Sequence, residues 1–385
     1  MTLAAEESAE RAHWLRLALT EGVGPVGARR LLEAFGLPDA VFSAEAAQLA
    51  AVVGPAGARA LRHPGPARER AVAQALRWAG TTGHHLITLA CADYPPALAQ
   101  VPDAPALLYG VGRREILTRP MVAVVGSRNA TAAGVADARG FARALSAAGW
   151  TVASGLALGI DAAAHDGALQ GGAGTVAVVG TGVDVVYPER HRILYGRIAD
   201  DGLVLSEFPL GTPPAPGLFP RRNRLIAGLA RGVVVIEAAP RSGSLITARL
   251  AADFGREVFA VPGSIHSPLA RGCHALIRQG AVLVESADDM LAELPPANPS
   301  LDPPTRPMAA GRPGRELAIS APLSSPDQDP ILAAVGHEPV LPDTLAAHLG
   351  LPAGELGARL VMLELAGRLQ RLPDGRVARP PPPVG

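Results

Sequence analysis

The pattern of apolar and polar positions changes character three times along the chain. Residues 11 to about 80 carry helix-spaced apolar positions and no strand-like run. From His84 to Leu294 short apolar runs alternate with helical stretches. Strands are expected at Leu86 to Leu89, Ala106 to Tyr109, Met121 to Val125, Trp150 to Ala153, Thr175 to Val179, Leu203 to Ser206, Val233 to Glu237, Val258 to Val261 and Ala281 to Val284. Met121-Val122-Ala123-Val124-Val125 is unbroken and rich in β-branched residues, as in a parallel strand buried on both faces. The following helix sets Phe141, Leu145 and Ala148 on one face, and Gly149 closes it. Regular alternation of this kind predicts an α/β architecture, a mainly parallel, doubly wound sheet with right-handed crossovers. The first two strands flank the Pro-rich turn at Asp93-Tyr94-Pro95-Pro96 and are expected at the sheet edge.

The ends of the chain read differently. Residues 1–82 form an all-helical unit, in which Gly22-Val23-Gly24-Pro25 opens a second helix as in a helix-hairpin-helix, with a weak echo at Gly54-Pro55-Ala56-Gly57. Turn amides of this kind can touch a DNA phosphate, and equally serve as a packing device or a protein contact. Residues 83–294 are the α/β core, and 295–329 are rich in Pro, Ala and Ser, as in a flexible linker. Residues 330–379 give three helices and a hairpin with an Asp374-Gly375 turn, a winged helix. Only Arg359 lies in the middle of its third helix, which favours protein contact over groove reading. The tail at 380–385 is proline-rich and expected to be disordered.

Composition removes whole classes of chemistry. The chain has 385 residues with 35 basic and 35 acidic side chains, so no global field advertises a nucleic-acid partner and any such site must be a local cluster. Every basic residue is arginine. Without lysine there is no Walker ATPase, pyridoxal or Schiff-base chemistry. The two cysteines, Cys91 and Cys273, stand far apart with no C-x-x-C, which indicates neither a disulfide framework nor a zinc site. The first ten residues lack the basic and apolar regions of a leader, and no apolar run reaches membrane-spanning length, so a cytoplasmic location and no membrane partner are expected.

Candidate chemistry concentrates where strands end. Gly126-Ser127-Arg128-Asn129 follows one strand, and Ser154-Gly155-Leu156-Ala157 with Gly159 and Asp161 follows the next. Glycines and small hydroxyl residues that open helices put free amides and positive dipole ends on one sheet edge, which is an anion site and most simply a phosphate site. Neither loop carries the G-x-G-x-x-G and acidic residue of a dinucleotide site, so no nicotinamide cofactor is expected. Phe219-Pro220-Arg221-Arg222-Asn223-Arg224 places three arginines at a helix start, where they oppose the dipole and point to phosphate contact. Ser242, Gly243, Ser244 and Thr247 open another helix and would form a third wall. Asp161, His165 and Glu237 raise the question of acid-base catalysis, but no nucleophile with an orienting partner accompanies them. Asp161 reads as a cap or first-turn acid, with His165 one turn later bonded to it.

Six motifs occur in order: Gly126-Ser127-Arg128; Ser154 through Asp161 to His165; Tyr187-Pro188; Phe219-Pro220 with Arg222-Asn223-Arg224; Ser242 to Ala248; and Gly255-Arg256-Glu257-Val258 to Pro262-Gly263. Together they resemble the DNA-processing protein A (DprA, also called Smf) family over Leu86 to Leu294. The resemblance implies a Rossmann-like core that binds single-stranded DNA, dimerises through that core, and helps load the RecA recombinase during natural transformation. It implies that the Gly126 loop and the 219–224 arginines hold the DNA backbone beside Ser242, Gly243 and Ser244. It implies no catalytic role. Many relatives carry a lysine in this pocket or an asparagine after the glycine at 272, where this chain has only arginines and Cys273-His274. A hydrolase of nucleoside monophosphates with a similar fold is the alternative. Such proteins carry P-G-G-x-G-T-x-x-E after a central strand, where this chain reads Ala238 to Ser244 with no glutamate at that spacing. A winged-helix transcription regulator is a third reading, disfavoured by the sparse charge of the third terminal helix.

Overall fold

Strand order determines where a ligand can sit. The structure is a computed structural model and describes residues 3–297, 329–336, 339–372 and 374–380. Most of the linker expected at 295–329, and the tail from 381, lie outside those residues.

Five helices open the chain: α1 (Leu3–Ala18), α2 (Pro25–Phe35), α3 (Pro38–Ser43), α4 (Ala46–Arg62) and α5 (Pro66–Ala79). The turn before α2 places Pro25 at the first helical position, where its missing N–H costs nothing. Its echo is structural as well: α4 breaks at Gly54, whose φ is 75°, and restarts at Pro55. The two turns face each other, since a Cβ on Gly27 would lie 3.5 Å from Val53 Cγ1 and one on Gly57 would lie 3.5 Å from Val23 Cγ2. The helices share their apolar core with the sheet. Trp14, Leu15, Leu31 and Leu49 join Leu86, Tyr109, Val179 and Val204 in one buried cluster, and Arg29 donates to the Ala99 and Val101 carbonyls at 2.9 Å each.

The core follows as β1 (His84–Thr88), α6 (Pro96–Ala99), β2 (Leu107–Gly112), β3 (Met121–Val125), α7 (Ala132–Ala147), β4 (Thr151–Ser154), α8 (Ile160–Gly171), β5 (Thr175–Val178), α9 (Arg192–Asp201), β6 (Leu203–Ser206), α10 (Leu218–Leu229), β7 (Gly232–Val235), α11 (Gly243–Asp253), β8 (Glu257–Ala260), α12 (Arg271–Arg278), β9 (Val282–Leu283) and α13 (Ala287–Glu293). The nine strands form one sheet in the order β1-β2-β6-β5-β4-β3-β7-β8-β9. β1 and β2 run antiparallel at one edge, and β6 to β9 are parallel throughout. Alternate residues of β3 face opposite layers. Met121, Ala123 and Val125 pack with Leu225 of α10 and Ala248 of α11, whereas Val122 and Val124 pack with Phe141 and Leu145 of α7 and Ala164 of α8. The expected strands match in place, Met121–Val125 and Leu203–Ser206 to the residue and the others with ends displaced by at most three residues. Ala148 departs from the expected apolar face: it is the exposed C-cap of α7, past the last full turn.

The chain ends in α14 (Pro330–Val335), α15 (Pro342–Leu349), α16 (Ala353–Leu365) and the hairpin β10 (Gln370–Arg371) and β11 (Val377–Ala378). This winged helix buries Ile331, Leu332, Val335, Leu345 and Leu360 together with Ala132 of α7. Its third helix, α16, turns Val361, Met362 and Leu365 outward, and its Arg359 is paired with Glu355 at 2.7 Å. Among the described residues no helix is long and apolar enough to cross a membrane.

Candidate nucleic-acid interface

Chain order reverses at β3. The strands β4, β5 and β6 extend from one side of it and β7, β8 and β9 from the other. Ligands of open α/β sheets sit in the crevice such a reversal leaves beyond the strand C-termini. A pocket of about 660 Å³ lies there, between the loop after β3 and the loop after β7. It is lined by the expected residues Gly126, Ser127, Arg128, Asn129, Ala157, Asp161, Arg222, Asn223, Ser242, Gly243, Ser244 and Thr247. Tyr187, Phe219, Arg241 and Ile246 line it too, and were not among the expected site residues.

The rim is cationic and aromatic. Arg128 is exposed, and its guanidinium lies 5.3 Å from the centroid of the Phe219 ring. Phe219 in turn meets Tyr187 at 5.7 Å between centroids. The sequence offers few aromatics, but two of them stand together at this mouth. Below Arg128, the Ser127 hydroxyl accepts from the Asn129 amide at 3.1 Å and stiffens the loop. On the far wall Asn223 donates to the Gly243 carbonyl at 3.3 Å, tying α10 to the start of α11.

The floor is a buried guanidinium. Arg222 Nη1 donates to the carbonyls of Gly155 and Val178 at 2.5 Å each, and its Nε has no partner among the described residues. Burial pulls its pKa down to about 10 while neighbouring Asp161 opposes the fall, so the group stays cationic at neutral pH. Asp161 accepts from the amides of Gly155 at 3.1 Å and Ala157 at 3.4 Å. Burial raises its pKa, and the Arg222 charge works against that rise.

The structure keeps the remaining expected residues out of the pocket lining, each for a local reason. Ser154 is spent on the Val124 carbonyl at 2.6 Å. Gly159, with φ 72°, lets the loops touch, because a Cβ there would lie 2.3 Å from the Ser127 carbonyl oxygen. Leu156 is fully buried and holds φ 55°, rare outside glycine. His165 does not bond Asp161. Its Nε2 accepts from the Leu156 amide at 3.2 Å and its Nδ1 meets Thr175 Oγ1 at 2.8 Å, so it braces the Leu156 turn from within the core. Burial pushes its pKa down to about 3, and donation from Leu156 to Nε2 fixes the neutral tautomer with its proton on Nδ1. Arg221 lies over the Phe208 ring at 5.3 Å. Arg224 is buried in ion pairs with Glu207 and with Asp103, the latter at 3.0 Å. After Gly272, Cys273 is buried and His274 Nε2 bonds the Gly263 carbonyl at 3.0 Å, beneath β8 rather than at the pocket.

Of the helix ends at this edge, two are already filled. The Glu237 carboxylate accepts from the Thr131 amide at 2.9 Å and hydroxyl at 2.6 Å, occupying the N-terminus of α7. It lies so close that a Cβ on Gly134 would be 2.5 Å from its carboxyl carbon. Asp161 holds the amides before α8 in the same way. The α11 end has Ser242 as its cap and no acid in its first turn.

Comparison with known proteins places the chain in a family. The family model for DNA recombination-mediator protein A matches residues 85–295, and that for the DprA winged helix domain matches residues 315–375. The chain belongs to the DNA recombination-mediator protein A family. Protein Smf of Synechocystis sp. is 37% identical over 403 residues, covering 97% of this chain and 99% of that one. The crystal structure of DNA processing protein A from Streptococcus pneumoniae superposes with a TM-score of 0.65 at 38% identity, over 74% of this chain and 98% of that one. A structure of DNA processing protein A from Helicobacter pylori, described for its single-stranded DNA binding mode, has a TM-score of 0.50 at 30% identity, over 55% and 94% of the two chains.

The loops that line this pocket are legible in the sequence, whereas Tyr187 and Phe219 are brought together only by the fold. Arg241 is a lone basic residue before Ser242-Gly243-Ser244, apart from the basic cluster at 219–224.

Proposed function

We propose that the pocket beyond β3 and β7 binds the backbone of single-stranded DNA and that the protein acts by binding rather than by catalysis. The observation that carries this reading is the Arg128–Phe219–Tyr187 cluster, with its two rings tilted by 35°, beside the glycine-loop amides. A strand without a complement offers phosphates to cations and amides while its free bases find aromatic faces, and a paired duplex cannot offer the second contact. Family membership and the single-strand binding described for the Helicobacter pylori relative support the same partner. We propose further that the chain dimerises through its core and delivers the strand to the RecA recombinase.

The hydrolase alternative lacks a poised acid. Glu237 is engaged by Thr131 on the α7 side, and Asp161, the carboxylate among the lining residues, is held by two amides over a guanidinium.

The test is fluorescence anisotropy with an unstructured oligonucleotide, single-stranded and as a duplex at matched salt. Binding should favour the single strand by at least about fivefold, since one stacking contact is worth about 1–3 kcal/mol. Equal affinity, or release of free base from nucleoside monophosphates, would overturn the reading. If RecA delivery is correct, the protein should shorten the lag of RecA filament growth on single strands.

A further inference from the structure

Arg241 stands just before the N-terminus of α11, an end that no internal carboxylate fills among the described residues. The amides at α7 are held by Glu237 and those before α8 by Asp161. α11 opens instead on Ser242, with Gly243 and Ser244 lining the pocket and no acid in the first turn. The positive end of this helix therefore remains available to an outside anion.

Two independent side chains point to the same ligand. Arg222 lines the same pocket, is 4% exposed, and leaves its Nε without a partner. Arg241 also lines the pocket, is exposed, and makes no hydrogen bond or ion pair among the described residues. Arg224, which the sequence pattern marks as a phosphate contact, is already committed to Glu207 and Asp103. An exposed cation with no acidic neighbour contributes little to folding.

We infer that Arg241 is a phosphodiester-binding residue of this pocket, seating one DNA phosphate at the N-terminus of α11 while Arg128 engages another at the loop after β3. This rests on the single-strand reading above. Arginine before the Ser-Gly-Ser turn supplies, in a chain without lysine, the second mobile cation that the pocket needs once Arg224 is withdrawn.

The experiment compares wild type, Arg128→Ala, Arg241→Ala, Arg241→Lys and, as a remote exposed control, Arg278→Ala in salt titrations against an unstructured single strand. Each phosphate contact on a single strand contributes about 0.7 to the salt slope. Arg241→Ala should lower affinity about tenfold and flatten the slope by about 0.7, Arg241→Lys should restore most of the slope, and Arg278→Ala should match wild type. If Arg128→Ala weakens binding while Arg241→Ala behaves like Arg278→Ala, the inference fails and the single-strand reading stands. If wild type does not bind the strand, or Arg128→Ala leaves binding unchanged, both fall.

Discussion

Gly155 and Arg222 are packed so closely that a Cβ on Gly155 would lie 2.1 Å from Arg222 Nη1. The guanidinium is held there by the Gly155 and Val178 carbonyls, so the turn after β4 and the helix α10 share one bonded contact under the pocket floor. A single methyl group must expel one of them.

Gly155→Ala should therefore destabilise the fold by about 1–3 kcal/mol, the usual cost of overpacking. It should also weaken single-strand binding in the folded protein, because the displaced guanidinium leaves the floor. Thermal melting and anisotropy on the same preparation check both. An unaltered melting temperature would mean that the turn gives way freely.

Arg224 should behave as a structural residue. Its side chain is 9% exposed and that of Glu207 is 4% exposed, and burial raises the Glu207 pKa against the pull of Arg224. Removing the arginine leaves a buried carboxylate uncompensated, so Arg224→Ala should cost about 3–5 kcal/mol of stability. Arg224→Ala with Glu207→Leu should recover part of that loss, and the folded fraction of each variant should bind DNA as wild type does. A stable Arg224→Ala protein that has lost DNA binding would contradict this assignment.

His165 should make the protein acid-sensitive. Its folded pKa of about 3 lies below the ordinary value of 6.5. Between those values the unfolded chain takes up a proton that the folded chain refuses, so stability falls as pH drops from 6.5 and this contribution is constant above it. The slope is about 1.4 kcal/mol per pH unit, hence about 2 kcal/mol lost by pH 5. Denaturant titrations at pH 7.5 and pH 5 should show wild type losing more stability on acidification than His165→Gln does. Parallel losses in the two proteins would remove His165 as the cause.

The aromatic pair should contribute to affinity in its own right. Phe219→Ala removes both a stacking face and the ring on which Arg128 rests, and base–aromatic stacking is worth about 1–3 kcal/mol per base. Phe219→Trp should retain binding. Equal affinity of Phe219→Ala and wild type would show that bases do not reach the ring.

How far the fold could be read from the sequence follows from the range of the forces involved. β3 announces itself because burial on both faces favours an unbroken β-branched run, and Leu203 to Ser206 reads as a strand from its short apolar run, buried on both faces. The loops at Gly126 and Ser242 are equally local, since strand ends and caps are encoded in consecutive residues. What stayed hidden depends on partners distant in sequence. Arg222 and Arg224 look alike in Phe219-Pro220-Arg221-Arg222-Asn223-Arg224, yet one faces the carbonyls of Gly155 and Val178 and the other the carboxylates of Glu207 and Asp103. Helix periodicity separates their directions but cannot name what waits there. Proximity along the helix suggests a bond from His165 to Asp161, whereas Leu156 and Thr175 hold it. Glu237 closes the α7 N-terminus from the loop after β7, so one of the helix ends at the Gly126 edge has no free amide to offer at its cap.

The most direct measurement is a salt titration of single-strand binding for wild type and Arg128→Ala, with the duplex as comparison. A steep wild-type slope, a clear single-strand preference, and a slope flatter by about 0.7 with affinity lower by about 1–3 kcal/mol in the variant are the expected results. Identical slopes and affinities for the two proteins would contradict DNA binding at the β3 edge.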